Sequence, residues 1–161
     1  MKLLILMPFL LLGILAARGM RWPYFSFVVF GLLYFPASVQ FRLDPKRCEL
    51  TFDIATAVQS LSNFGHVIIC FVFFLITVAQ FPRPGWQSLS WSVALTMAMG
   101  VAIETAEGLS GAHHCKTLDL IPDFVGALVG LLVVLLARMI TNGQRVRPEQ
   151  VTFERGDLPG L

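Results

Sequence analysis

The chain has 161 residues, 56% of them hydrophobic and 14% charged, with a formal charge of +2 and a mean hydropathy of +0.73. Soluble domains carry about 25% charged residues, so this composition reads as an integral membrane protein and excludes a soluble core of the same size. The small net charge, without interleaved basic and aromatic residues, gives no reason to expect a nucleic-acid partner.

Lys2 precedes an apolar run over residues 3–17. Leu15 and Arg18 make a poor cleavage site around Ala17, so the run is read as a first membrane helix rather than a signal peptide. Pro8 would be tolerated there with a kink. A basic link, Arg18-Gly-Met-Arg21, leads to a second span over 22–39, loosened near its end by Pro36. Charge then gathers at Arg42, Asp44, Lys46, Arg47, Glu49 and Asp53, which reads as a surface loop followed by a short interfacial helix over 53–60. The third span, 61–80, carries Asn63, His66 and Cys70 among Phe and Ile, and Phe81-Pro-Arg-Pro-Gly85 marks a turn.

The fourth span begins at 86 or 90 and runs to 106. Ala94, Ala98, Ala102 and Ala106 recur every four residues in it, a small-residue face suited to close helix packing. Glu104 projects about 160° from Ala102, so this helix is expected to be wedged between neighbours on two sides. A polar loop over 108–118 leads to a fifth span over 120–140. There Gly126 and Gly130 offer a second close-packing face, Pro122 fits only the first turn, and Asp119 is a candidate N-cap. Asn142-Gly143 is expected to end this helix. The predicted architecture is therefore all-α, an integral membrane bundle of about five transmembrane helices over 1–140, with a polar, mobile tail over 141–161 and no internal repeat.

Five spans sort the basic residues onto two sides. Lys2, Arg42, Lys46, Arg47 and Lys116 fall on one, and Arg18, Arg21, Arg83, Arg138, Arg145, Arg147 and Arg155 on the other. The second side is richer and is expected to be cytoplasmic, with the C-terminus. Trp22, Trp86 and Trp91 gather at the same interface. Cys48 and Cys115 share the outer side; they read as free thiols, with a disulfide as the alternative. Cys70, mid-span, reads as a small buried apolar residue.

The polar residues of greatest interest lie between 104 and 130. Glu104 and Glu107 end one apolar segment, and Asp119 and Asp123 begin the next. Helical spacing puts each pair on one face, and Asp119, Asp123, Gly126 and Gly130 fall within about 60° of one another if the helix starts at or before Asp119. Ionisable groups in or beside a bilayer are expensive and need partners.

Three readings compete. In the first the carboxylates cap helix ends and bond to His66, His113 or Lys116. In the second Glu104, Glu107, Asp119 and Asp123 hold Mg2+, Mn2+ or Ca2+, hard cations that take carboxylate oxygens. In the third His66 exchanges a proton with Glu104, although a satisfied bundle histidine is the plainer reading. His113-His114 reads as a solvated loop pair, since no Cys/His spacing for zinc accompanies it. No serine or cysteine stands with a base and a carboxylate at a recognisable spacing for nucleophilic catalysis.

Glu104-x-x-Glu107-Gly108 followed by Asp119-x-x-x-Asp123 resembles the acidic motif of CDP-alcohol phosphotransferases. It departs from that motif in its leading glutamates, its missing Arg and its short spacing. The fuller pattern, Glu104-x-x-Glu107, then Asp119-x-x-x-Asp123-x-x-Gly126-x-x-x-Gly130 with Asn63 and His66 upstream, resembles the VanZ-like family of small bacterial membrane proteins over about residues 22–140. Glu107 and Asp123 stand where that family has amides, and His-His-Cys-Lys stands in place of its loop Arg. The resemblance implies an inner-membrane protein of the bacterial envelope, and the family's namesake is associated with glycopeptide resistance.

The function expected on this basis is a non-enzymatic or accessory envelope role. The cluster of Glu104, Glu107, Asp119, Asp123, His66, Asn63 and Lys116 would bind a cation, a membrane lipid headgroup or a partner helix. Two alternatives remain open: a small divalent-metal-dependent enzyme acting on a phospho- or polyprenyl-lipid, and a helical subunit of a larger membrane complex docked through Ala94, Ala98 and Ala102 or through Gly126 and Gly130.

Overall fold

The computed structural model describes residues 2–37, 58–62, 64–110 and 117–145. Every regular element among them is helical: α1 (Lys2–Ala17), α2 (Arg21–Ala37), α3 (Phe64–Val78), α4 (Trp86–Ser110), a 3-10 turn (Thr117–Asp119) and α5 (Leu120–Arg145). Two stretches, Trp86–Leu109 and Thr117–Thr141, are long and apolar enough to cross a membrane, and Met7–Ala17 and Phe64–Val78 are shorter apolar helices.

The turn between α1 and α2 is closed by Gly19, whose φ of 80° lies in the left-handed region. Its N–H donates to Ala16 O at 2.8 Å and that of Met20 to Leu15 O at 3.4 Å, the paired bonds of a Schellman ending. A Cβ at Gly19 would meet Ala79 O, so the end of α3 is seated against this turn. Gln80 reinforces the seat, its Nε2 donating to Ala16 O at 2.6 Å and Ile76 O at 3.0 Å. Arg138, far along α5, donates to Pro84 O in the α3–α4 turn.

Helix α3 is the centre of the bundle and buries Cys70, Phe73, Phe74, Ile76, Thr77 and Val78. Helix α1 lies on α2 through Phe9 and Phe27, stacked 4.5 Å apart. Helix α4 packs against α2, α3 and α5. The tightest approach is between α3 and α5. A Cβ at Gly126 would run into the Val67 carbonyl and the Phe71 amide, and one at Gly130 into the Phe74 ring.

Large apolar side chains are exposed on all five helices, beside a core that is itself mainly apolar. On α5, Phe124, Leu128, Leu132 and Leu136 form an exposed stripe at intervals of four, while Asp123, Ala127 and the two glycines face inward. Glu104, Asp123, Thr77, Thr96 and Ser92 are buried. The three buried hydroxyls are satisfied within their own helices, donating to carbonyls four residues back at 2.7–2.8 Å.

The structure departs from the expectations at three points. Helix α5 continues through Asn142 and Gly143 to Arg145. A helical glycine costs only about 1 kcal/mol relative to alanine, and each added residue gains a backbone bond once a helix is nucleated. Helix α4 runs past 106 to Ser110, so residues 108–110, expected in the polar loop, are helical. Ala94 and Ala98 are exposed instead of lying under a neighbouring helix. Of the short helix expected over 53–60, residues 58–60 are helical and the rest lies outside the described residues.

Candidate functional site

Three elements bring titratable groups to one end of the bundle: the start of α3, the last third of α4 and the start of α5. The 3-10 turn sets the position of Asp119. Leu118 is buried beneath it, and the Ser60 hydroxyl donates to Leu118 O at 3.2 Å. The α-helix begins at Leu120, so Asp119 directly precedes it, and Asp123 falls in its first turn. Both carboxylates therefore sit where unpaired backbone N–H groups and the helix dipole favour negative charge.

Asp123 is 2% exposed and is held from three directions. His66 Nδ1–H donates to its Oδ1 at 3.0 Å, and the Cys70 thiol donates to the same oxygen at 3.2 Å. Its other oxygen lies against Gly100 of α4, where any side chain would collide with it. This carboxylate thus occupies the space that the missing Cβ of Gly100 leaves between α4 and α5.

Next to this pair, one donor atom each from His66, Glu104 and Asp119 lie within 4.8 Å of one another. Glu104 is 5% exposed, whereas His66 and Asp119 are half-buried, so the trio runs from the interior toward the surface. With Nδ1 committed to Asp123, His66 keeps Nε2 as the ring nitrogen not used by that bond. A carboxylate behind a histidine fixes its tautomer and orientation and raises the basicity of the far nitrogen.

Compared with protein families, curated proteins and solved structures, the chain gives no match.

Of the residues expected to form a cation site, Glu104 and Asp119 come together, joined by His66. Asp123 stands one bond behind that group, and Glu107 is half-buried on α4 and outside the converging trio. His66 bonds directly to Asp123. Asn63, Lys116, the His113–His114 pair, Cys48 and Cys115 lie outside the described residues.

Two participants escaped the sequence reading. Cys70 is buried as expected, but it also supplies a hydrogen bond to Asp123. Gly100 was overlooked because the alanine repeat drew attention to the opposite side of α4. The available signal was its spacing: Gly100 and Glu104 are four residues apart and share a face.

Proposed function

We propose that the chain is a VanZ-like integral membrane protein of the bacterial envelope, five helices deep, with an accessory role built around a cation site at one end of the bundle. His66, Glu104 and Asp119 would ligate a divalent cation, and Asp123 would orient His66. The observation that carries this reading is the convergence of three donors from three separate elements on a histidine already backed by a buried carboxylate. The donor set mixes one imidazole with two carboxylates; of the three cations, Ca2+ and Mg2+ take oxygen ligands, so the nitrogen favours Mn2+, the transition ion among them. Support for the membrane comes from the two long apolar helices and from bulky apolar side chains outside and acids inside.

The cation would neutralise charge that the bundle otherwise confines at a low-dielectric edge, and would fix α3, α4 and α5 relative to one another. A specific feature also favours a second reading, a small metal-dependent enzyme acting on a phospho- or polyprenyl-lipid. Three protein ligands leave coordination positions open, as in catalytic rather than closed structural sites.

Calorimetric titration of the detergent-solubilised protein with Mn2+, Mg2+ and Ca2+ tests the site. The expected result is one Mn2+ per chain, lost in Asp119→Asn and His66→Ala. Equal, weak binding of all three ions by wild type and variants would overturn it. Turnover of a phospholipid only with Mn2+ would favour the enzyme.

A further inference from the structure

Helices α2, α3 and α4 leave a space that reaches from Arg21 and Gln80, at the end of the bundle away from the carboxylates, as far as Ala102. This groove has a volume of about 580 Å³, within the range of ligand sites. It is lined by the apolar side chains of Phe25, Val28, Phe73 and Met99 and by the small residues Ala98 and Ala102. Tyr24 and Thr77 also line it. Thr77 Oγ1–H donates to Phe73 O at 2.8 Å, which leaves the Tyr24 hydroxyl as donor in the 3.1 Å bond to Thr77 and both groups satisfied.

Arg21 and Gln80 line the mouth. The two turns that meet there, residues 18–24 and 80–86, contain Arg18, Arg21 and Arg83 and no Asp or Glu. Gly19 against Ala79 O and Gln80 against Ala16 O hold these turns together, so the positive charge is concentrated at one lip.

We propose that this groove holds one anionic phospholipid, with its phosphate at Arg21 and an acyl chain over Ala98 and Ala102. An uncharged apolar guest would use the apolar lining but would make no use of Arg21, or of the two acid-free turns that carry Arg18 and Arg83. A guanidinium is matched to phosphate oxygens in geometry as well as charge. The small residues Ala98 and Ala102 fit the same role, since a larger side chain at either position would fill the space. The inference rests on the membrane placement proposed above and is independent of the cation site.

The test is native mass spectrometry of the delipidated, detergent-solubilised chain, offered phosphatidylglycerol or phosphatidylcholine with identical acyl chains. The expected result is retention of one phosphatidylglycerol, at least tenfold preferred over phosphatidylcholine. Arg21→Gln should remove the preference while leaving residual binding of both, and Ala98→Leu should reduce both while leaving Mn2+ binding unchanged. Equal retention of the two lipids by wild type would overturn the proposal. So would an unaltered preference in Arg21→Gln, or a dimer that Ala98→Leu converts to monomer, which would make the groove an interface between copies. Carbonate extraction of membranes separates the two failures. A chain released by carbonate sinks the membrane reading itself, whereas one that is retained but shows no lipid preference sinks only the groove.

Discussion

Two seams of the bundle are lined by small residues at intervals of four, and they behave in opposite ways. Along α3 and α5, Gly126 and Gly130 let one helix sink onto the backbone of the other, and the seam closes. Between α2, α3 and α4, Ala98 and Ala102 line a groove together with Phe25, Val28 and Phe73, and the space is left unfilled. A small-residue stripe permits close approach but does not cause it. The difference lies in what else holds each pair. At the closed seam a buried Asp123 on α5 bonds to His66 and Cys70 on α3, which draws the helix ends together. Beside the groove the Tyr24 ring stands between α2 and α3, 6.1 Å from the Phe73 ring and bonded to Thr77, and its bulk borders the space that the small residues leave.

The comparison can be broken most severely at Gly126. Gly126→Val would push a branched side chain into the Val67 carbonyl and the Phe71 amide, atoms that cannot rotate away. The expected cost is about 3 kcal/mol, read as a lower thermal midpoint of the solubilised protein. Valine at the exposed Ala98 should cost far less.

Next in size are changes to the link that closes the seam. Asp123→Asn removes the charge behind His66, and Gly100→Ala places a methyl group where the Asp123 carboxylate now lies. Each should weaken Mn2+ binding by about 10- to 100-fold, measured by calorimetry, with the secondary structure by circular dichroism unchanged.

Gln80→Ala removes the amide that ties the α1–α2 turn to the end of α3. Loss of two hydrogen bonds should cost about 1–2 kcal/mol in thermal denaturation and leave Mn2+ affinity alone. The smallest effect is expected at Ala94, exposed on α4. Ala94→Leu should change stability by no more than about 0.5 kcal/mol, and a larger change would mean that this face is covered in the native assembly.

Much of the helical layout is legible in the sequence, because long apolar runs punctuated by Arg-Gly and Pro-Arg-Pro-Gly leave few other places for turns. The helix bounds differ from the reading mainly where a helix extends beyond its apolar stretch, as at residues 108–110 in α4 and 142–145 in α5. The site is harder to read. Spacing pairs Asp119 with Asp123 and Glu104 with Glu107, but which pair faces which neighbour depends on the rotation of each helix about its axis. That rotation is set by Gly100, Gly126 and Gly130 against specific atoms of other helices. His66 stands out in a Phe-rich segment, yet its bond to Asp123 is a product of that packing.

The central claim is that His66, Glu104 and Asp119 share one cation. Pulsed electron paramagnetic resonance of Mn2+ bound to the solubilised protein tests it most directly, because an imidazole ligand imprints nitrogen modulation on the echo. The account predicts nitrogen modulation in the wild type and its loss in His66→Ala. Bound Mn2+ with no nitrogen coupling, or with coupling that survives His66→Ala, would contradict it.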